Sequence, residues 1–442
     1  MTKEFSEKPP ACDRNDLSFT GRKDDAIGPQ GMALAGFIGF FGAWLLTWRL
    51  EIKGDWLPVL FFILTALPMV AISVFFNRTH RRLTAGLNES PGTIDWPRCG
   101  IKYLGFLGTV TALAFLYWLF PEYRRPYYQP FFDLAVRFLA PLLILALPYI
   151  VWVDRRMREP EDGYWQMGLF VLGRWGGVNW KLLGDHALAW GVKGFFLPIM
   201  IGGSVKHLVK LHACGLNFSS FEHFYKTGDN FVMSLDIIFA TVGYIFTFRI
   251  LDSHIRSAEP TVLGWAAALF CYLPFSRCLW PVLLTIHGSQ GHNAWRYVMS
   301  WHPLVYISWG FAILVCHAFF AWATCSFGCR FSNLTNRGIV ADGPYRYCKH
   351  PAYLAKNLAW WLMSVPFLAY GTWQQSLQAT LLLGVTGLVY VLRAYTEERH
   401  LKKDPAYRVY CDWIDENGVW SQIKAALRRL GEWGSPPRRA AE

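Results

Sequence analysis

The sequence predicts an all-α, polytopic integral membrane helix bundle with about ten transmembrane helices. The chain is 53% hydrophobic and only 17% charged, and it contains 22 Trp and 33 Phe among 442 residues. Apolar runs of about twenty residues recur along it, which is the length that a helix needs to cross a hydrocarbon core of ~30 Å. Lipid satisfies no backbone hydrogen bonds, so only helices or closed barrels span it, and uniformly apolar runs favour helices.

Eight apolar runs are predicted to span the membrane before residue 330. They are residues 33–48, 56–76, 101–120, 131–153, 188–210, 231–250, 261–287 and 303–324. A longer stretch, 357–395, is interrupted by the polar sequence AYGTWQQS and predicts a hairpin of two further helices. The first run is short and the seventh contains two prolines and Arg277, so the count of ten is approximate.

The basic residues of the chain are concentrated in alternate loops. The formal net charge is +12, and Lys and Arg cluster in the N-terminal tail, after spans two, four and eight, and beyond residue 395. The loop after span six is weaker, with Arg256 and the adjoining Arg249. By the positive-inside rule, both termini are expected in the cytoplasm. Cations distributed in this way argue against nucleic acid as a partner, and the polar first 31 residues predict no cleavable signal peptide.

Ionisable residues also occur within and next to the predicted spans. Asp236 lies inside span six, where a charge is costly, so it is either a functional residue or pairs with a neighbour such as Lys193. Several charged residues follow the end of span six, and for these we favour a position in the cytoplasmic headgroup layer over a functional role. They are Arg249, Asp252, His254, Arg256 and Glu259.

No metal site is expected from the sequence. The chain contains no HExxH sequence and no His-rich box, and the later histidines do not fall at metal-ligand spacing. Those histidines are His287, His292, His302 and His317. Cys325 and Cys329 are close, but CxxxC alone is not a zinc signature, so the cysteines are expected to be free thiols.

The last quarter of the chain contains a polar, aromatic segment directly before the predicted hairpin. Asp342-Gly343-Pro344 predicts a turn, and Pro351 suits the first turn of the next helix. A helix that begins there places Lys349, His350 and Tyr353 at its N-terminal end. Free backbone N–H groups and the positive end of the helix dipole favour a carboxylate or phosphate at such a position.

The second helix of the hairpin returns to the same level with a group of charged residues, Arg393, Glu397 and Glu398. Cations, aromatic rings and paired acids are therefore expected to converge on one cytoplasm-facing pocket. A zwitterionic ligand with an extra positive centre fits this set, because a sulfonium is attracted to tyrosine faces and an ammonium to a glutamate. S-adenosylmethionine has these features, whereas a reduced nicotinamide cofactor requires several phosphate-binding cations.

These segments resemble the C-terminal signature of the isoprenylcysteine carboxyl methyltransferase family and the related phospholipid N-methyltransferases. The resemblance covers residues 336–415, and four residues depart from the family pattern as follows. Lys349 stands where Arg is usual, Ala355 where Gly is usual, and Asp404-Pro405 where Phe-Gly is usual. The matching residues are Gly343-Pro344-Tyr345, Lys349-His350-Pro351-Ala352-Tyr353, Glu397-Glu398, Leu401, Tyr407 and Tyr410.

The resemblance implies an S-adenosylmethionine-dependent membrane methyltransferase that acts on a membrane lipid or lipid-linked acceptor. The candidate cofactor-binding residues are Tyr345, Lys349, His350, Tyr353, Glu397 and Glu398, and the candidate catalytic residues are Arg393, Glu397 and Glu398. Arg393 would orient a carboxylate acceptor, or a glutamate would take the proton of an amine or hydroxyl. We expect a cytoplasmic tail at 1–31, a membrane scaffold at 32–300, a methyltransferase-like core at 301–425 and a basic tail at 426–442.

Two alternatives remain open at this point. The sterol reductase and lamin B receptor family also has about ten spans and a related C-terminal half, and it would imply an NADPH-dependent enzyme. Its pattern reads roughly RHxNYxGD and then RDExxC, whereas this chain has KHPAYLAKN and TEERHL, so the Asn, Gly and Asp are missing. The second alternative is a non-catalytic lipid-binding protein of the same fold.

Overall fold

The computed structural model describes residues 31–215, 218–277, 294–368 and 372–433 of the protein, and these are almost entirely helical. The first seven helices are α1 (Met32–Arg49), α2 (Trp56–Ala71), α3 (Trp96–Leu119), α4 (Gln129–Asp154), α5 (Gly163–Val171), α6 (Trp180–Cys214) and α7 (Phe221–Ile245). The remaining seven are α8 (Val262–Leu269), α9 (Trp295–Val298), α10 (Pro303–Ser326), α11 (Pro351–Ser364), α12 (Trp373–Leu401), α13 (Pro405–Asn417) and α14 (Val419–Trp433). Two short strands, β1 (Ser257–Ala258) and β2 (Thr335–Asn336), pair antiparallel.

Within the described residues, seven helices are long and apolar enough to cross a membrane. They are Met32–Arg49, Trp56–Phe76, Trp96–Leu119, Pro126–Asp154, Trp180–Cys214, Pro303–Ser326 and Trp373–Leu401. The predicted all-α membrane fold is therefore confirmed, but the count of ten is not. In the predicted seventh span, α8 covers Val262–Leu269, and residues 278–287 lie outside the described part of the chain, as do His287 and His292.

The predicted hairpin near the C-terminus is formed by α11 and α12. Pro351 is the first residue of α11, as its fixed φ and missing N–H favour. Thr372 caps the start of α12 by accepting a hydrogen bond from the Gln375 N–H (3.4 Å). Contacts between the start of α11 and the end of α12 show that the two helices run antiparallel, because Tyr353 bonds to Glu397.

Several loops that are far apart in sequence meet at one end of the bundle, which we call the polar end (loops 77–95, 155–162, 246–261 and 327–350). The Thr79 hydroxyl donates to the Ile250 carbonyl (3.1 Å), and the Asn88 N–H donates to the Arg156 carbonyl (2.7 Å). Strands β1 and β2 join loop 246–261 to loop 327–350. These are the loops that the charge pattern assigns to one face, so the helices alternate in direction as that pattern requires.

A buried arginine connects the polar end to helix α7. The side chain of Arg337 is 3% exposed, and its guanidinium donates to the carbonyls of Gly243 (2.8 Å), Ser253 (2.6 Å), Cys329 (2.8 Å) and Phe331 (2.7 Å). The last turn of a helix has carbonyls without intrahelical partners, and Gly243 belongs to that turn of α7. The five donors of one guanidinium therefore hold the end of α7, the loop after it and the 327–336 segment together.

The charged cluster after α7 is buried in protein contacts rather than exposed at lipid headgroups. The Asp252 carboxylate is fully buried, pairs with Arg330 (2.8 Å) and Arg256 (3.1 Å), and accepts a hydrogen bond from Thr84 (2.8 Å). Glu259 is also buried, and Arg399 at the end of α12 lies 3.3 Å from it. The cluster therefore stabilises the packing of loops at the polar end.

Asp236 has a partner other than the one considered from the sequence. Its carboxylate accepts a hydrogen bond from the Thr324 hydroxyl (2.5 Å), whereas Lys193 lies over the ring of Trp190 at 5.0 Å. A similar hydrogen bond lies about two turns away along the same two helices, where His317 donates to the Asp229 carboxylate (2.7 Å). Both hydrogen bonds join α7 to α10, so these polar residues fix the pairing of two helices.

Replacing Arg337 with Met is expected to lower the free energy of unfolding by ~3 kcal/mol or more, because four buried carbonyls lose their donor. Thermal unfolding of the purified protein in detergent, followed by light scattering, measures this change. The melting temperature of Arg337→Lys should lie between those of Arg337→Met and the wild type. The exposed Arg408→Met is the control, and a wild-type melting temperature for Arg337→Met would contradict the assigned role.

Candidate functional site

A cavity of about 890 Å³ lies at the polar end, beside the α11–α12 hairpin. Its walls are residues 347–350, one face of each hairpin helix, the end of α13 and the face of α14 that contains Trp420. Leu354, Leu388 and Val391 line it and are half or more exposed. The cavity is therefore polar where the loops meet and apolar along the hairpin helices.

The loop that leads into α11 is held in place by contacts with α10 and the C-terminal helices. Gly343 has φ of +58°, and a Cβ at this position would lie 2.5 Å from the Ser326 hydroxyl, so the predicted turn requires glycine. The Tyr410 hydroxyl donates to the Tyr345 carbonyl (2.8 Å), and the Val419 N–H donates to the Tyr347 carbonyl (2.9 Å). These contacts set the position of the following residues, 348–350, at the mouth of the cavity.

The two adjacent glutamates of α12 bind two residues from the start of α11. His350 Nε2 lies 3.0 Å from Glu398 Oε1, and the Tyr353 hydroxyl donates to Glu397 (2.6 Å). The His350 and Tyr353 rings are parallel, with centroids 5.4 Å apart. Residues three apart lie on one face of a helix, so His350 and Tyr353 approach α12 together. Glu398 is also paired with Lys402 (3.2 Å).

Lys349 lies at the polar rim of the cavity. Its ammonium is 2.7 Å from the Asp415 carboxylate of α13. Burial disfavours the charged form of Lys349, but the hydrogen bond to Asp415 and the nearby negative charges of Glu398 and Asp415 act together to raise the pKa above its ordinary value. Lys349 therefore remains a cation and ties the loop to α13.

Arg393 lies behind Tyr353 and is not among the residues that line this cavity. Its buried guanidinium donates to the Asn333 side-chain oxygen and lies over the rings of Tyr353 (5.0 Å) and Tyr272 (5.4 Å). The Asn333 amide in turn donates to the Tyr244 hydroxyl (2.9 Å). Arg393 therefore supports the ring of Tyr353 from the protein side through cation–π contact.

The structure brings some of the predicted site residues together at the cavity and places others around it. Lys349, His350, Tyr353 and Glu398 line the cavity. Tyr345, Glu397 and Arg393 do not: Tyr345 packs against Phe327, and Glu397 is bonded to Tyr353. Adjacent helical residues point about 100° apart, which separates Glu397 from Glu398.

Sequence reasoning missed several residues around the site. Lys356 is an ionisable residue one turn into α11, with its ammonium 5.3 Å from the Phe320 and Trp360 ring centroids, and its position in an apolar stretch was a usable signal. The α14 residues Trp420, Lys424 and Arg428 also line the cavity. Helical periodicity at the C-terminus could have predicted a surface helix, but not its contact with the cavity.

The described residues contain no group of three His, Cys, Asp or Glu side chains that could hold a metal ion. The eight cysteines among them are free. The side chains around the cavity instead supply cations, carboxylates, one imidazole and aromatic rings. Such a set binds a small molecule through charge, hydrogen bonds and ring contacts.

Comparison with known proteins supports the resemblance seen in the sequence. Residues 300–403 match the model of the isoprenylcysteine carboxyl methyltransferase (ICMT) family, as predicted from the C-terminal signature. The matched segment contains α10, α11 and α12, and therefore both the His350–Glu398 and the Tyr353–Glu397 contacts, and it ends before α13. No curated protein and no solved structure matches the chain.

A double-mutant cycle on His350→Ala and Glu398→Ala is expected to give a coupling energy of about 1 kcal/mol, because each single change removes the same contact. Thermal unfolding of the four proteins in one detergent measures it. The matched control is the cycle of His350→Ala with Glu397→Ala, for which a coupling near zero is expected, since Glu397 bonds Tyr353 instead. Equal coupling in both cycles would contradict the pairing.

Proposed function

We propose that the protein is an S-adenosylmethionine-dependent methyltransferase of the membrane that acts on a lipidic acceptor. The observation that carries the proposal is the cavity, because its polar part is built from His350, Tyr353 and Glu398 within the segment that matches a methyltransferase family. That match favours a membrane methyltransferase over the sterol-reductase alternative. The finer assignments of cofactor and acceptor rest on the chemistry of the lining.

The residues of the cavity fit the charges of S-adenosylmethionine. Lys349 offers a cation to a carboxylate, while Glu398 offers an acceptor to an ammonium. Tyr390 and Trp361 add aromatic surface for a sulfonium or an adenine ring. A volume of about 890 Å³ falls within the range of roughly 300–1,000 Å³ that is usual for small-molecule sites.

The acceptor would approach from the bilayer. Leu354, Leu388 and Val391 form an apolar side of the cavity and are half or more exposed, so this side would face the lipid. An acyl or polyprenyl chain can occupy this side without leaving an apolar environment, so its reactive group would lie at the polar side. This arrangement accounts for a methyl-transfer site placed at the end of membrane helices.

The catalytic contribution of the chain is mainly positioning and exclusion of water. S-adenosylmethionine would supply an electrophilic methyl group on its sulfonium when bound, and the residues that line the cavity would hold the acceptor in line with that group. Where the acceptor is an amine or hydroxyl, the His350–Glu398 pair is the proton acceptor that lines the cavity. Where it is a carboxylate, no proton is removed, and Arg393 would not contact it, because Arg393 lies behind Tyr353 and does not line the cavity.

Isothermal titration of the purified protein is expected to show binding of S-adenosylmethionine and of its demethylated product, and none of NADPH. His350→Ala should weaken S-adenosylmethionine binding at least about tenfold, or ~1.4 kcal/mol, because it removes a cavity-lining imidazole and one of the two contacts that hold Glu398 in place. The exposed Arg408→Ala should leave affinity unchanged. Binding of NADPH alone would overturn the proposal, and binding of none of the three would favour a lipid-binding protein.

A further inference from the structure

Helix α14 lies outside the segment that matches a known family and has an apolar stripe exposed on its surface. Val419, Ile423 and Leu427 recur at intervals of four, which places them on one side of the helix. Leu427 is 62% exposed, and Trp420 beside the stripe is 60% exposed. Large apolar side chains arranged in this way are not covered by any described part of the chain.

The neighbouring stripe of the same helix is cationic and lies at the cavity. Lys424 and Arg428 are one residue beyond Ile423 and Leu427, are exposed, and line the cavity together with Trp420. Among the ion pairs of the side chains that the structure describes, neither Lys424 nor Arg428 takes part. An apolar stripe flanked by exposed cations is the pattern of a helix that lies in a membrane interface.

Helix α14 begins at the polar end, where its first residue contacts the loop that precedes α11. The spanning helix α12 ends at Leu401, and α13 connects it to α14 within the polar end. The Val419 N–H donates to the Tyr347 carbonyl (2.9 Å), and a Cβ at Gly418 would lie 2.5 Å from the Ile414 carbonyl oxygen. This close turn sets the direction of α14 relative to α13, so the helix is held beside the end of the hairpin.

We propose that α14 docks on an anionic lipid surface and forms the wall of the cavity that faces it. Val419, Ile423 and Leu427 enter the interface, while Lys424 and Arg428 bind lipid phosphate at the edge of the cavity. The occupant is the bilayer because the spanning helices hold α14 permanently within reach of a leaflet, and the charge of its exposed residues is complementary to anionic headgroups. The docking depends on the membrane fold and not on the proposed function.

The test uses the full-length protein in nanodiscs of phosphatidylcholine alone and of phosphatidylcholine with phosphatidylglycerol. Amide hydrogen exchange over residues 419–433 should be at least about tenfold slower with the anionic lipid, because two cations contribute at the surface. Exchange over residues 405–417 serves as the internal reference and should not differ. Neither measurement requires cofactor or activity.

Matched charge reversals identify the residues responsible. Lys424→Glu with Arg428→Glu should abolish the difference between the two lipids, and Leu427→Glu should remove protection in both. Lys403→Glu with Arg408→Glu makes the same change in charge at exposed positions of the preceding segment and should keep the difference. Unchanged melting temperatures would show that each variant is folded.

Two results would overturn the proposal. One is equal exchange of residues 419–433 in both kinds of nanodisc, with Lys424→Glu and Arg428→Glu having no effect. The other is strong protection in detergent together with a doubled particle mass, which would show that a second copy of the chain covers the stripe. Failure of S-adenosylmethionine binding would leave the lipid-dependent exchange unaffected, so the two proposals fail separately.

Discussion

The polar end of the molecule depends on the buried guanidinium of Arg337. Carbonyl groups at the end of α7 and in the turn at residues 328–331 have no partner within regular structure, and leaving them unpaired in a dry interior costs free energy. Arg337 donates to both sets at once. This fixes the segment that carries Asn333 and Asn336, which bind Arg393 of α12 and Asp404 at the start of α13.

The candidate site is built outward from that support. Arg393 holds the ring of Tyr353 from the protein side, and Tyr353 in turn bonds Glu397 and stacks on His350. Tyr353, His350 and Glu398 line the cavity, whereas Arg393 and Glu397 lie behind its wall. Charged residues deeper in the hairpin therefore act on the site through the rings and carboxylates that they position.

The cavity also has two different boundaries. Apolar residues of the hairpin, such as Leu388, border it on one side, whereas Lys424 and Arg428 of α14 border it on another. A ligand with a long apolar chain and a polar group matches both boundaries at once. Its chain stays among apolar side chains, and its polar group stays among charged ones. The proposed methyl transfer to a lipid and the proposed docking of α14 each account for one of these boundaries.

The length of the apolar runs in the sequence was sufficient to predict a helical membrane protein, because spanning a bilayer strongly restricts backbone structure. The HPAY and EE sequences, with their spacing and a hairpin between them, predicted the family match and the start of α11 at Pro351. Tertiary structure alone decided that Glu398 faces the cavity, that Arg393 lies behind Tyr353, and that Asp236 bonds Thr324. Helical periodicity specifies which residues share a face but not how each helix is rotated against partners far along the chain.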